Sequence, residues 1–273
     1  MNQRFLKKST IPLYLLIIFF TSIVSVIGFF VFSWHPEWES FIFLLPSAIL
    51  GGHALWTLVT HLFFHANFFH LFVNMFSLFF IGNITETIIG KRRFFWFYLI
   101  SGIFAGLFFV CMAWFGSSSG LTSVLGSLNI PGVGASGALF GLLGLLAVIL
   151  PKKKVYLIVG PLIIIILDAI ISPLLPSGIS SLVSVLFNII LLIMIFSFFF
   201  PFSSFSRIAL PLEMPLWLAP LLAIVPLVVV SFFVDLPIAN TAHFGGLVVG
   251  LLYGWYLRMR YQKKIALLGR VFR

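Results

Sequence analysis

Residues 11–33 read IPLYLLIIFFTSIVSVIGFFVFS, a stretch without a single charged side chain. A helix needs about 20 apolar residues to cross the hydrocarbon core of a bilayer, so this stretch can cross once. The whole chain of 273 residues is similar: 62% are hydrophobic and 8% are charged. Ordinary soluble domains carry about 25% charged residues. The composition therefore excludes a soluble enzyme and a disordered tail, and it predicts an all-α polytopic membrane protein.

Seven further apolar segments follow between the charged loops. They are 68–89, 94–115, 136–150, 155–171, 181–200, 215–234 and 241–257. With eight crossings, all 16 lysines and arginines fall on one side, which the positive-inside rule makes cytoplasmic. We therefore expect both termini in the cytoplasm and favour a plasma membrane. A signal peptide in the first span is the alternative, but the stretch exceeds the roughly 7–15 residues of such signals.

The net charge of +10 is thus explained by topology, and no nucleic-acid partner is expected. The single cysteine, Cys111, excludes a disulfide framework and a cysteine-ligated metal site. The first exterior loop, residues 34–67, is long, aromatic and apolar, and we expect it to lie in the outer interface of the bilayer. His61 and His65 have a spacing that could hold zinc, but no acid accompanies them. We expect hydrogen bonds within the loop instead.

Polar side chains within membrane spans are costly, so each is a candidate for function. Three groups stand out, and each lies in the first two turns of a span that runs from outside to inside. Because a helix rises about 1.5 Å per residue, all three groups should lie in the outer half of the membrane. The residues concerned are His70, Asn74, Ser136 and His243.

Glycines explain how two of these residues could meet. Small residues repeated every four positions let transmembrane backbones pack closely, and both the fourth and the eighth span carry such stripes. Close packing would bring the Ser136 hydroxyl to the His243 imidazole. Such a serine–histidine pair is the minimal arrangement that activates a serine as a nucleophile. A developing oxyanion could accept hydrogen bonds from the Ser136 backbone N–H, the Asn74 amide and the His70 ring. The stripes are Gly137, Gly141 and Gly144, and Gly246, Gly250 and Gly254.

Three sequence strings resemble the rhomboid family of intramembrane serine proteases. Residues 65–75, HANFFHLFVNM, are similar to the family's His-x₄-His-x₃-Asn stretch, residues 134–137, GASG, to its nucleophile motif, and residues 242–246, AHFGG, to its Ala-His-x-x-Gly motif. The resemblance implies a single membrane domain over residues 1–273. Its six-helix core would be enlarged by an inserted hydrophobic hairpin at about 156–206.

The resemblance also implies an activity and residue roles. Ser136 would be the nucleophile, His243 the base, and His70 and Asn74 would line the oxyanion hole. Substrates would be transmembrane-helix proteins, cut within the lipid bilayer near its outer surface, and the span 215–234 would act as a lateral gate. No metal or cofactor is implied. The glycines expected to shape the site are Gly134, Gly137, Gly246 and Gly250.

Two positions differ from the family pattern, and two acidic residues lie within predicted spans. Thr57 follows Trp56 where the family often has arginine, and Phe140 stands where a tyrosine commonly stacks on the base. Glu86 is expected to make a structural hydrogen bond to backbone. For Asp168 in the hairpin, an interfacial acid exposed to water is favoured over a binding role.

Two other functions compete with a protease. An inactive relative that binds transmembrane helices would normally lack Ser136 or His243, and both are present. A transporter of this size often has two repeated halves with broken helices. No such halves are visible, and the polar groups cluster on one side of the membrane.

Overall fold

The structure is a computed structural model, and it describes residues 11–197, 210–233 and 239–271. That part of the chain is mainly helical, as the composition predicts. Its α-helices are α1 Leu13–Trp34, α2 Pro46–Leu50, α3 Thr57–Thr60, α4 Phe68–Ile89, α5 Lys91–Ser119, α6 Thr122–Leu125, α7 Ser136–Ile149, α8 Val159–Ile171, α9 Ser177–Ser197, α10 Ala219–Ser231, α11 Asn240–Arg260 and α12 Gln262–Val271. Single 3₁₀ turns cover Pro36–Phe41, His61–Phe63 and Ser172–Leu174.

Each of the eight predicted spans overlaps one of these helices. Among the described residues, α1, α4, α5 and α9 are long and apolar enough to cross a membrane, and α7, α8 and α10 are apolar but shorter. The last span corresponds to α11, which has 21 residues. The chain is therefore an all-α polytopic membrane protein.

Two β-strands lie at the predicted starts of the fifth and seventh spans: β1, Lys154–Ile158, covers the start of the fifth, and β2, Pro211–Pro215, ends at residue 215, where the seventh is predicted to begin. β1 pairs with β2 in an antiparallel ribbon. Lys154 also forms an ion pair with Glu213 at 2.9 Å, which raises the pKa of the lysine. The predicted span starts at residues 155 and 215 are therefore wrong, because short apolar runs do not distinguish a strand from a helix.

The core is centred on α7, whose most extensive contacts are with α11 and then α5. Buried leucines on α7 form the middle of this core, among them Leu142, Leu145 and Leu146. α1 joins the core through α4. α7 thus lies in the middle of the bundle, and its first residue, Ser136, is half-buried.

Glu86 fixes the start of α1 against the end of α4. Its carboxylate accepts hydrogen bonds from the backbone N–H groups of Leu13, at 3.0 Å, and Tyr14, at 2.8 Å. The first N–H groups of a helix have no partner within the helix, and an acid there is favoured by the helix dipole. The predicted structural hydrogen bond of Glu86 is confirmed.

The first exterior loop folds into short helical segments that pack on α5 through α2 and α3. Phe43, Leu44 and Leu62 are buried there, whereas Trp38 and Trp56 are about half exposed. An isolated bridge between Leu44 and Gly132 ties the loop to the segment before α7. Exposed tryptophans on an apolar loop fit the predicted position in the membrane interface.

Asp168 joins the two helices of the predicted hairpin. Its Oδ1 accepts hydrogen bonds from the hydroxyls of Ser172, at 2.5 Å, and Ser184 of α9, at 2.9 Å. Asp168 is half-buried, and both of these hydrogen bonds end on Oδ1, so the expectation of an acid exposed to water stays a prediction. That the hairpin is an insertion into a smaller core stays a prediction.

The end of α9 lies beside α4. Phe196 stacks on Phe72 with 5.8 Å between ring centroids, and Phe72 is in the second turn of α4. The sequence predicts that the sixth span ends on the basic, cytoplasmic side and that the span containing Phe72 starts on the opposite side. The contact between Phe196 and Phe72 therefore differs from the predicted topology. The predicted span 181–200 and the gate span 215–234 extend in part beyond the described residues.

Candidate active site

The turn before α7 depends on a glycine. Gly134 has φ +118°, a backbone conformation that side chains with a Cβ rarely adopt. A Cβ at this position would also lie 2.6 Å from Cε1 of His70, so the imidazole lies directly against the turn. The Gly134 N–H donates to the carbonyl of His61 at 2.9 Å. This turn places Ser136 as the first residue of α7.

α7 and α11 are in backbone contact along their glycine stripes. A Cβ added at Gly246 would overlap the carbonyl of Gly137, and one at Gly250 would overlap the carbonyl of Gly141. Gly137 itself faces α5, where a Cβ would lie 2.6 Å from Cβ of Ala105. The close approach predicted from the stripes is therefore present.

This approach brings together the two residues that the sequence singled out for chemistry. The Ser136 hydroxyl and His243 Nε2 are 2.8 Å apart, although 107 positions separate them in the sequence. His243 is buried, with 8% of its surface exposed. Its Nδ1 has no hydrogen-bond partner among the described residues. The serine can donate its proton to Nε2 only when the imidazole carries its own proton on Nδ1.

Phe140, one helical turn after Ser136, covers the imidazole. The two rings are stacked, with 4.5 Å between centroids and 24° between planes. The packing expected of a phenyl ring at this position is present. It fixes the plane of the imidazole without offering a hydrogen bond.

His70 and Asn74 lie on α4 next to this site. The His70 ring contacts the Gly134 turn, two residues before Ser136. The Asn74 amide donates to the His70 carbonyl at 2.8 Å, so one of its two N–H groups is engaged with its own helix. The other N–H group remains for a ligand. The structure thus brings His70 to the turn before α7, and it holds Asn74 one turn further along α4.

His65 makes a connection that sequence reasoning missed. Its Nδ1 lies 3.0 Å from the hydroxyl of Ser25 on α1, and its Nε2 accepts from the N–H of Ala135 at 3.4 Å. Ser25 in turn donates to the carbonyl of Phe63 at 3.0 Å. A neutral imidazole with its proton on Nδ1 satisfies all three contacts. Burial and, to a smaller extent, nearby His70 together lower the pKa of His65 to about 3.

The His61 side chain also serves the loop. Its Nδ1 lies 2.6 Å from the carbonyl of Thr57, so hydrogen bonding within the loop is confirmed for His61. The hydrogen bonds of His65 extend to α1 and to the turn before α7. No group of three residues able to hold a metal occurs in the described part of the chain.

The family model for the Rhomboid domain matches residues 52–209 and 184–260. The chain belongs to the rhomboid family. Among its curated relatives, RHOMBOID-like protein 1 of Arabidopsis thaliana is 40% identical over 111 residues, which is 40% of this chain and 25% of that protein. Rhomboid protein 1, mitochondrial, of Saccharomyces cerevisiae is 37% identical over 99 residues, 36% of this chain and 26% of that protein.

Another relative is named as inactive. Inactive RHOMBOID-like protein 8 of Arabidopsis thaliana is 33% identical over 106 residues, 39% of this rhomboid and 26% of that protein. The matched part of this rhomboid thus spans about a quarter of the length of each of these three curated relatives. Because the family contains a protein named as inactive, the activity of this rhomboid has to be argued from its own residues.

Proposed function

We propose that this rhomboid is an intramembrane serine endopeptidase that cleaves transmembrane segments of membrane proteins. Ser136 is the nucleophile and His243 is the general base. The observation that supports this most directly is the 2.8 Å separation of the Ser136 hydroxyl and His243 Nε2. Hydrogen-bond reach between a hydroxyl and a base is the first requirement for an activated serine.

The proposed reaction has two steps. In the first, the Ser136 oxygen attacks the scissile carbonyl while its proton moves to His243 Nε2; the imidazolium then gives this proton to the leaving amine. In the second, water attacks the acyl-enzyme, loses a proton to Nε2, and the ester bond to Ser136 breaks with return of that proton to the serine. No third residue orients the base through Nδ1 in the described chain, so Phe140 does so by stacking.

The oxyanion of each tetrahedral intermediate needs donors that are in place beforehand. We assign the free N–H of the Asn74 amide, the His70 ring and the Ser136 backbone N–H to this role. His70 contacts the Gly134 turn and Asn74 is buried one turn away, which supports the assignment. One donor of this kind is worth about 10²–10³ in turnover.

Access to the site is proposed to come from the lipid beside α10. This helix contains Pro226, which removes one helical hydrogen bond, and its second residue is Pro220. It contacts α7 and α11 far less than these two helices contact each other. A substrate segment reaching Ser136 in this way would be cut near the outer surface. We further propose a multi-pass plasma-membrane protein with both termini in the cytoplasm.

The test is cleavage of a single-span reporter in proteoliposomes. Wild-type protein should cut the reporter within its membrane segment, and Ser136→Ala should abolish cleavage while keeping the wild-type melting temperature. Ser118→Ala is the matched control, since Ser118 is exposed and bonds only to carbonyls of its own helix. Cleavage by Ser136→Ala equal to wild type would refute the role of Ser136. Binding of the reporter without cleavage by wild type would indicate an inactive helix-binding relative.

A further inference from the structure

We propose that the groove between α5 and α11 binds an anionic phospholipid. The groove has a volume of ≈ 460 Å³. Arg92 and Arg93 line one end of it, and apolar side chains of both helices line the rest. This end is on the opposite side of the protein from Ser136, because α5 starts there and α7 ends there. The proposal is independent of the proposed protease activity.

Arg93 links the polar end of the groove to a neighbouring cluster, in which three cations lie around one aromatic ring. The guanidinium of Arg93 lies 5.7 Å from the ring centroid of Tyr261, that of Arg260 lies 5.8 Å from it, and the ammonium of Lys264 lies 5.9 Å from it. Arg93 and Lys264 come from helices far apart in sequence, so the fold itself gathers these charges.

The described residues offer these cations no carboxylate. The ion pairs found there join His35 to Glu37 and Lys154 to Glu213, both outside this cluster. Glu86, near the same end of the bundle, uses both oxygens on the start of α1. Like charges held this close repel each other. A phosphate between them would replace repulsion with charge-assisted hydrogen bonds, for which arginine is well suited.

The remainder of the groove fits an acyl chain. Along α5, Trp96 and Ile100 follow Arg92 at four-residue spacing and are both more than half exposed. Val249 and Tyr253 face them from α11 at the same spacing. At about 1.5 Å per residue, the apolar lining extends about 12 Å from Arg92 along α5. A tryptophan between a charged end and an apolar lining is typical of the membrane interface.

A phospholipid fits this lining better than a free anion does. Free phosphate would bind the arginines and leave the apolar part of the groove unfilled. A phospholipid fills both the polar and the apolar part, since its phosphate reaches the arginines from the headgroup layer and its acyl chain continues along α5 into the hydrocarbon core. Basic pockets between transmembrane helices near the membrane surface are suited to anionic headgroups.

The test is lipid binding by the purified full-length protein, measured by native mass spectrometry. Phosphatidylglycerol and phosphatidylcholine with identical chains are titrated separately. Wild type should retain phosphatidylglycerol preferentially, and Arg92→Gln/Arg93→Gln should weaken its binding about 30-fold. The control variant Lys152→Gln/Arg270→Gln also removes two positive charges, but from exposed positions outside the groove. It should change phosphatidylglycerol binding by less than about threefold.

A second variant tests the apolar part. Ile100→Trp fills the groove while leaving both arginines in place, so it should weaken phosphatidylglycerol binding without altering the melting temperature. Millimolar inorganic phosphate should not displace the lipid. Equal losses in the two double variants would show diffuse attraction to a basic surface and would overturn the site. Equal wild-type binding of both lipids, displacement by phosphate, or unchanged binding by Ile100→Trp would overturn it as well.

Discussion

The phenyl ring of Phe140 is stacked on the imidazole of His243, with 4.5 Å between their centroids. Phe140 begins the second turn of α7, one turn after Ser136, whose hydroxyl contacts the same imidazole. The His243 imidazole is thus held from two directions by a single short helix, through a hydrogen bond at its edge and a ring at its face. In the proposed mechanism this arrangement takes the place of the acidic residue that orients the base in many serine proteases.

The stacking gives a prediction for Phe140→Ala. An aromatic pair contributes about 0.5–1.5 kcal/mol beyond its burial, so loss of the ring should lower kcat/KM about 2- to 12-fold. Phe104→Ala, which removes an exposed ring from α5, should leave kcat/KM unchanged. Reporter cleavage in proteoliposomes measures both. Full activity of Phe140→Ala would show that the imidazole is held by other contacts.

Asn74→Ala should lower turnover by about 10²–10³ if the amide stabilises the oxyanion. Asn188→Ala is a close control, because Asn188 makes the same amide hydrogen bond, at 2.7 Å, to a carbonyl one turn earlier on α9. That variant should retain wild-type turnover. An equally small effect of both substitutions on kcat would remove Asn74 from the oxyanion hole.

His65 is predicted to be a positioning residue. In His65→Phe the Ala135 N–H loses its acceptor next to Ser136, so kcat should fall about 5- to 100-fold with KM unchanged. His53→Phe changes an exposed histidine of the same loop and should have no effect on kcat. Steady-state kinetics with the reporter separates the two constants. A rise in KM alone would contradict a role in positioning the nucleophile.

Gly250→Ala should destabilise the bundle and reduce cleavage together. Its Cβ would overlap the carbonyl of Gly141, and overpacking of this kind costs about 1–3 kcal/mol. Gly269→Ala on α12 is the matched variant, because a Cβ there meets nothing within 4 Å. Thermal unfolding followed by circular dichroism should show a lower melting temperature only for Gly250→Ala. Equal melting temperatures would mean that α7 and α11 are further apart than described.

Sequence reasoning predicted the helical class and the meeting of Ser136 with His243. Apolar length and charge asymmetry determine where spans lie and which way they run, and regular glycines mark where two spans touch. These signals are periodic or compositional, so one sequence is enough to show them. The predicted roles of both residues, and of His70 and Asn74, await the experiments above.

Other features leave no such signal. The ribbon of β1 and β2 pairs residues more than 50 positions apart, and its first strand looks like the start of an apolar span. His65 contacts Ser25 and Ala135, 40 and 70 positions away, through single hydrogen bonds that follow no sequence period. The partners of Asp168 could not be predicted, because Ser172 and Ser184 lie 4 and 16 positions away and are two of many serines in the chain.

The most direct test of the central claim is covalent labelling with a fluorophosphonate probe. The probe reacts with a serine only when a neighbouring base activates it, and it requires no knowledge of the natural substrate. Protein in lipid vesicles is labelled, digested and analysed by mass spectrometry to identify the modified residue. The account predicts one adduct, on Ser136, in wild type and none in His243→Ala. A folded wild-type protein that stays unlabelled, or an adduct on a different serine, would contradict it.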